Sequence, residues 1–320
     1  MKAILIDRYG PPDVLEYRNH PLPVVKGDQV LVKVMASSVN PIDCKIRQGR
    51  LKVVSGFNFP KVLGSDVAGI IEAVGDAVED FQPGDEVFGF NPPIKGGAYA
   101  DYIAISAENL ASKPTPLSFP EAAAVPLVGL TAMQTLFDLG KLRPGQSVLV
   151  NGASGGVGSL AVQIAKAFEA QVTGVCSGSN REFVTGLGAD QVIDYTETDF
   201  TRQDLRQDWP KYDIIFDAVN KRSFSQCSRV LTPEGIYVST WPNLKLFAAI
   251  ARTALLPGRK AHLISVTPNG RDLRSLAEFL DSGKVRVVID RTYPLTEIAQ
   301  AHRYSESERA TGKIVLTMTT

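Results

Sequence analysis

Residues 148–165, VLVNGASGGVGSLAVQIA, change hydrophobic period halfway, and the change falls on a knot of glycines. Ser147 to Asn151 are continuous and β-branched, as a buried strand is. From Gly156 to Phe168 the apolar residues Val157, Leu160, Ala161, Ile164, Ala165 and Phe168 recur at helical spacing. A strand therefore hands over to a helix across a turn carrying Gly155 and Gly158, where the backbone must come close to something. The alternation continues downstream. Strand-like QVTGVC, QVID, YDIIFDAV, IYVST and HLISV are interleaved with helical REFVTGLGA and SFSQCSRVL, which argues for a parallel, doubly wound sheet with helices on both faces.

The segment before it reads differently. Residues 1–117 are short alternating runs (KAILIDR, QVLVKVMA, VAGIIEAV, EVFGF, YADYIAI) broken by turns such as Lys26-Gly27-Asp28 and Pro83-Gly84-Asp85. This is the rhythm of a small, mostly antiparallel β domain. Ser118-Phe119-Pro120-Glu121 offers a helix cap, a proline in the first turn and an early acid, so a boundary is expected near 118. The tail, 268–320, holds a helix pattern (DLRSLAEFLDSG), a strand-like VVIDRTYPL, a short helix and a last strand, GKIVLTM. The expected class is α/β: a β-rich domain over 1–117, a doubly wound domain over 118–267, and a return to the first domain over 268–320.

Composition narrows the function classes. With 34 basic and 34 acidic residues there is no global field to favour nucleic acid or an anionic membrane. The apolar segments 122–137 and 244–256 are too short to span a bilayer comfortably. The second, with the basic Pro-Gly-Arg-Lys flank, reads as a lid or a subunit-contact helix, so a homodimer is admitted; peripheral membrane contact is the outsider. The start, MKAILIDRYGPP, lacks the pattern of a secretory or transit signal. Cys44, Cys176 and Cys227 are odd in number and scattered, which fits a reducing cytoplasm. With His20, His262 and His302 equally scattered and no CxxC or HExxH, no metal site is expected.

The glycine turn points to a dinucleotide. Gly155 would let the main chain approach a pyrophosphate, Gly158 would let helix and strand pack closely, and the helix N-terminus would supply N–H donors. The fingerprint is imperfect, since Ala153 stands at its first glycine and Gly152 lies one place early. On the second strand the sequence is Cys176-Ser-Gly-Ser-Asn-Arg181, with no acid before Glu182. An acid there would repel a ribose 2′-phosphate, whereas Ser177 and Arg181 would bind it. One charge-assisted bond is worth about 1.5–3 kcal/mol, enough to set NADPH over NADH.

YGPPDVL (9–15), SVNPIDCKIRQG (38–49), GSDVAGIIEAVG (64–75), GDEVFG (84–89), GGAYADYI (96–103), the GASGGVG turn, LGAD with DY (187–195), FDAV (216–219) and ATGKIV (310–315) occur in order along the chain. In these pieces the chain resembles the zinc-independent medium-chain dehydrogenase/reductases, on the quinone oxidoreductase and alkenal/enone reductase branch. The resemblance implies a GroES-like catalytic domain built from both ends of the chain, a central Rossmann domain, and a cleft between them. In zinc-dependent alcohol dehydrogenases of this superfamily a Cys and a His stand where this chain resembles them with Asn40 and Ser65, and the four cysteines of the structural zinc lobe are missing after Phe90. An amide and a hydroxyl cannot replace thiolate and imidazole.

The route left is hydride transfer to an electron-poor acceptor, a quinone or an α,β-unsaturated carbonyl, without metal or flavin. By resemblance, Asn40, Asp43 and Lys45 wall the substrate site. Asn40 donates to the acceptor's carbonyl oxygen, and Lys45 contacts that oxygen or the nicotinamide ribose; capping of a turn by Asn40 and Asp43 is the competing structural reading. The resemblance also sets Thr131 near the nicotinamide and Tyr195 against the adenosine half. Cofactor contacts are expected from Ser154, Gly155, Gly156 and Val157 at the turn. Others come from the strand ends: Asp217, Ala218 and Val219, mainly through main chain, then Ser239, Thr240 and Thr267, with Lys313 added. Competing functions are a non-catalytic NADPH-binding sensor or structural protein, and a zinc-dependent alcohol dehydrogenase. The acceptor itself is beyond sequence, because apolar walls discriminate weakly.

Overall fold

The computed structural model describes residues 1–205 and 211–318. It divides into two compact units: Met1–Leu130 with Thr267–Asp281 and Val287–Thr320, and Thr131–Val266 with Ser282–Arg286. The strands run β1 (Lys2–Ile6), β2 (Glu16–Asn19), β3 (Gln29–Val39), β4 (Lys61–Val62), β5 (Asp66–Val74), β6 (Glu86–Phe90), β7 (Tyr102–Ser106) and β8 (Leu110–Ser112) in the first unit. The second unit supplies β9 (Ser147–Asn151), β10 (Gln171–Cys176), β11 (Gln191–Asp194), β12 (Tyr212–Asp217), β13 (Leu231–Ser239) and β14 (Lys260–Leu263), and the chain returns to the first with β15 (Ile289–Pro294) and β16 (Lys313–Thr317). The helices are α1 (Pro41–Arg47), α2 (Lys52–Ser55), α3 (Phe119–Ala123), α4 (Pro126–Met133), α5 (Gly156–Ala167), α6 (Arg181–Gly186), α7 (Phe224–Cys227), α8 (Leu244–Leu255), α9 (Gly270–Asp281) and α10 (Ile298–Glu306).

In the first unit the long β3 is the organiser. It pairs antiparallel with β5, β7 and β16 in a sheet ordered β15-β16-β3-β5-β6-β8, and a smaller sheet runs β2-β1-β4. Alternation along β3 sends Val30, Val32 and Val34 into a core with Val67, Ile71, Val87, Ile103 and Ile105. Ile4, Ile6, Val39, Ile46, Tyr99, Ile298, Ile314 and Leu316 fill another. Each buried aliphatic side chain contributes about 1.5–3 kcal/mol relative to exposure. The last strand lies between β15 and β3, so the C-terminal segment closes the sheet that the N-terminal segment begins. The regime change at Ser118 is a helix start, with Ser118 Oγ accepting from Glu121 N and Glu121 Oε2 accepting from Ser118 N. The α3 helix it opens packs on β3 and β5.

The second unit is a parallel sheet ordered β11-β10-β9-β12-β13-β14. The strand order reverses between β9 and β12, so this is a doubly wound sheet with a switch point there. Its strands read as continuous apolar runs because helices cover both faces, and Leu149, Val175, Ile193, Ile215 and Tyr237 form the core. The helix pattern read over 223–231 is shorter than expected. After α7 the chain tightens into a 3₁₀ turn, Ser228–Val230, and enters β13 at Leu231. Asn243 Oδ1 caps α8 by accepting from Leu246 N, and Leu244, Phe247 and Leu255 on that helix are exposed.

All three cysteines are free and buried. Burial pushes the Cys44 thiol up to about 12 and Cys176 up to about 11, with Asp43 and Asp194 respectively adding to the rise, and it raises Cys227 as well. Among the described residues no helix is long and apolar enough to cross a membrane.

Candidate functional site

The carboxyl edge of the second unit's sheet gathers most of the expected cofactor residues. Ser154 to Val157 follow β9, Ser177 and Arg181 follow β10, Tyr195 follows β11, Ala218 and Val219 follow β12 after its last residue Asp217, and Thr240 follows Ser239 at the end of β13. Three of the four glycines of the turn have three different causes. Gly152 has φ +88°, and a Cβ there would lie 2.5 Å from Val219 Cγ2. A Cβ on Gly158 would lie 2.1 Å from the carbonyl oxygen of Gly152, so close packing of α5 on the end of β9 forbids any side chain. Gly155 has an ordinary extended backbone (φ −80°, ψ 175°), and the nearest atom to its Cβ would be 3.5 Å away. Nothing in the protein demands glycine there, and a cradle that a Cβ would enter fits the approach of a ligand. The first-turn N–H groups of α5, Gly156 and Val157 among them, have no acceptor within the helix. Together these residues fit a dinucleotide's diphosphate.

Around that turn the side chains are already committed. Asp217 is fully buried; its Oδ1 accepts from Asn151 Nδ2 (2.9 Å), Val219 N and Asn220 N, and its Oδ2 from Tyr237 OH (2.8 Å). That carboxylate holds the β9 and β12 ends together and leaves only main chain for a ligand. Ser154 Oγ accepts from Asn180 Nδ2, Ser239 Oγ donates to Asn220 Oδ1, and Thr240 Oγ1 donates to the carbonyl of Ala218. Arg181 is exposed at the start of α6, donating from Nη1 to the Val192 carbonyl. Ser177 Oγ pairs with Ser179 Oγ, and Tyr195 is exposed. Asp194 lies close to Gly178; the Thr196 N–H and hydroxyl hold its carboxyl below the usual range, and Arg181 adds to that. Thr131 is buried in the same unit, whereas Thr267 and Lys313 belong to the first.

The first unit holds a buried polar network. Asn40 caps α1, and its main-chain N–H donates to Asp43 Oδ2 at 2.9 Å. Asp43 also accepts from Ser65 Oγ (3.1 Å) and Tyr99 OH (3.2 Å). The tyrosine ring fits because Gly64 leaves it room, and a Cβ there would fall 2.2 Å from Cδ1. Burial pushes the Asp43 carboxyl up to about 6; the negative charge of Asp66 adds to this, and the hydrogen bonds of Asn40 and Ser65 oppose it. The Asn40 amide donates from Nδ2 to Asp66 Oδ2 (2.8 Å) and accepts at Oδ1 from Lys313 Nζ (2.6 Å). Lys313 Nζ is 3.3 Å from Asp66 Oδ2, while Asp66 Oδ1 accepts from Leu127 N (2.8 Å) and Oδ2 also accepts from Ser38 Oγ. Burial lowers the Lys313 pKa, and Asp66 and Asp43 work against that.

Lys45 lies elsewhere on α1 from Asp43. Its position, two residues further along the helix, is about 200° around the axis from that of Asp43. Burial and Arg50 lower its pKa, and Glu308 counters. The residue that sequence reasoning passed over is Asp66, the hub of the network. Its signal was an acid opening an apolar strand, VAGII, whose first three residues are buried, and an acid in that setting must be paired. As a metal site the place offers an amide, a hydroxyl and two carboxylates already supplied with donors, with an ammonium among them. That set does not fit a zinc ion, and among the described residues no three or more of His, Cys, Asp and Glu are gathered as a metal group.

Two family models match the chain, the alcohol dehydrogenase GroES-like domain over residues 26–115 and the zinc-binding dehydrogenase over residues 187–316. The chain is 37% identical to the chloroplastic NADPH-dependent alkenal/one oxidoreductase of Arabidopsis thaliana, over 99% of this chain and 79% of that protein. It is 35% identical to the mitochondrial NAD(P)H oxidoreductase RTN4IP1 of Mus musculus, over 99% of this chain and 89% of that one. Among solved structures, the quinone oxidoreductase from Coxiella burnetii superposes with a TM-score of 0.89 at 33% identity, covering 100% of this chain and 99% of that one.

Proposed function

Since the chain belongs to the medium-chain dehydrogenase/reductase family, on its quinone oxidoreductase and enone reductase branch, we propose that it is an NADPH-dependent reductase of quinones or α,β-unsaturated carbonyls that uses neither metal nor flavin. The observation that supports this is the buried network at Asn40: at the position that resembles a zinc ligand of the metal-dependent relatives, this chain carries an amide held between an ammonium and a carboxylate. Donors of that strength suit an acceptor whose conjugation already spreads the incoming charge. The reduced nicotinamide, when bound, supplies a hydride. The chain's own residues do the rest. The Gly155 corner and the α5 N–H groups hold a diphosphate, Arg181 and Ser177 favour a 2′-phosphate, and Asn40 donates an N–H to the oxygen that becomes negative. Burial of Asn40 strengthens that bond by excluding water. Three unpaired, buried cysteines support a cytoplasmic setting.

The test follows NADPH absorbance with purified protein against a panel of quinones, short alkenals and longer enones, beside an Asn40→Ala control and a metal assay. Turnover with at least one acceptor, reduced about 10²–10³-fold in the control and free of stoichiometric zinc, is expected. NADPH binding with no turnover on any acceptor would instead favour the sensor.

A further inference from the structure

We propose that Lys313 and Asp66 are positioning residues for Asn40. They fix which way its amide faces, and the lysine's charge, passed through the amide, strengthens the N–H that Asn40 keeps for an acceptor oxygen. This rests on the reductase reading above. Lys313, Asn40 and Asp66 form a closed triangle: ammonium to amide oxygen at 2.6 Å, amide nitrogen to carboxylate at 2.8 Å, ammonium to carboxylate at 3.3 Å. Turning the amide over would set its NH₂ against the ammonium and its oxygen against the carboxylate, a donor against a donor and an acceptor against an acceptor. Only one orientation survives.

Asp66 cannot swing to accommodate the other one, because its Oδ1 is held by Leu127 N and its Oδ2 by Ser38 Oγ. An asparagine amide has two N–H donors, and Asp66 uses one. An amide oxygen that accepts from a cation draws electron density from its nitrogen, so the remaining N–H becomes the better donor. All three side chains are buried, so little solvent screens the effect. The second carboxylate, Asp43, reaches Asn40 through the main-chain N–H and leaves the amide to this triangle. The lysine's charge is paired with Asp66, so what it passes to the acceptor oxygen is polarisation of the amide rather than a net positive charge.

The experiment compares Lys313→Met, which keeps the stem and removes the charge, with Lys313→Arg and with wild type. For each, kcat, KM for the acceptor and Kd for NADPH are measured. Removing a whole oxyanion donor costs about 10²–10³ in kcat, so loss of its polarisation is expected to cost about 10-fold to 100-fold, with NADPH affinity within about twofold and most of the rate recovered by arginine. In an Asn40→Ala background the same substitution should cost nothing more, which a merely structural role would not produce. If Lys313→Met fails to melt cooperatively, Lys313→Gln, which keeps a donor and removes the charge, carries the comparison. A kcat for Lys313→Met equal to wild type would overturn the inference alone. So would a large loss of NADPH affinity at unchanged saturated rate, which would make Lys313 a cofactor contact. A wild type that oxidises NADPH with none of the acceptors overturns the reductase reading, and this inference with it.

Discussion

The glycine corner can be taken apart with two substitutions of the same size, Gly155→Ala and Gly158→Ala. At Gly158 the new methyl would begin 2.1 Å from the Gly152 oxygen and 2.8 Å from Ala153 Cα, both backbone atoms. Ordinary contact needs about 3.4 Å, so α5 must retreat from the end of β9 by more than 1 Å; overpacking of that kind costs about 1–3 kcal/mol, and immovable backbone puts this case near the top. At about 2–4 °C per kcal/mol the melting temperature should fall by roughly 6–12 °C. At Gly155 the backbone suits any residue and the methyl meets nothing closer than 3.5 Å, so stability should stay within about 0.5 kcal/mol of wild type. The methyl does enter the space where a diphosphate would meet the α5 N–H groups. Loss of one charge-assisted bond, about 1.5–3 kcal/mol, weakens NADPH by roughly 10-fold to 150-fold. Thermal melts and fluorescence titration with NADPH read the two quantities separately. Wild-type affinity in Gly155→Ala, or a wild-type melt in Gly158→Ala, would show that the corner had been misread.

Arg181→Ala should raise the Kd for NADPH by roughly 10-fold to 100-fold and leave NADH unchanged; equal losses for both would move the arginine away from the 2′-phosphate. Asp43 should leave a signature in stability against pH. Its folded pKa of about 6 lies above the unbound 3.8, so the folded state holds the proton more tightly; the stabilisation is complete below about pH 3.8 and is lost as pH rises through about 6. The difference is on the order of 3 kcal/mol. Asp43→Asn should flatten the urea-unfolding curve between pH 4 and 6 relative to wild type, and identical slopes would remove Asp43 as the cause. Ser118→Ala should cost about 1 kcal/mol of stability by deleting the α3 cap, read as a small shift in urea midpoint.

The doubly wound sheet was legible because its strands and helices differ in period, and the strand ends followed from the same pattern. Local pattern also placed Ser118 at a helix start. It could not say which sheet that helix would cover, since packing of α3 on β3 and β5 depends on partners some 50 to 90 residues away. The same distance hid the network at Asn40. Asp66 is far from Lys313 in sequence, and nothing in GSDVAG says that its carboxylate meets an amide, an ammonium and the N-terminus of α4 together. Asn40 was singled out for what it replaces, whereas Asp66 became visible only as a charge that burial obliges to be paired. Gly152, Gly155 and Gly158 looked alike as letters and separated only once each missing Cβ could be measured against its neighbours.

The burial of Cys44, Cys176 and Cys227 bears on the chemistry proposed for the protein. Quinones and enones are electrophiles that alkylate thiolates, and a protein that turns them over meets them at high local concentration. With no thiol at the surface and those inside held protonated well past neutrality, the folded chain offers these compounds nothing to attack, so it should survive long exposure to the acceptors proposed for it. Intact mass after incubation with an excess of a small enone should show an unmodified polypeptide, and adducts should form only when denaturant opens the fold.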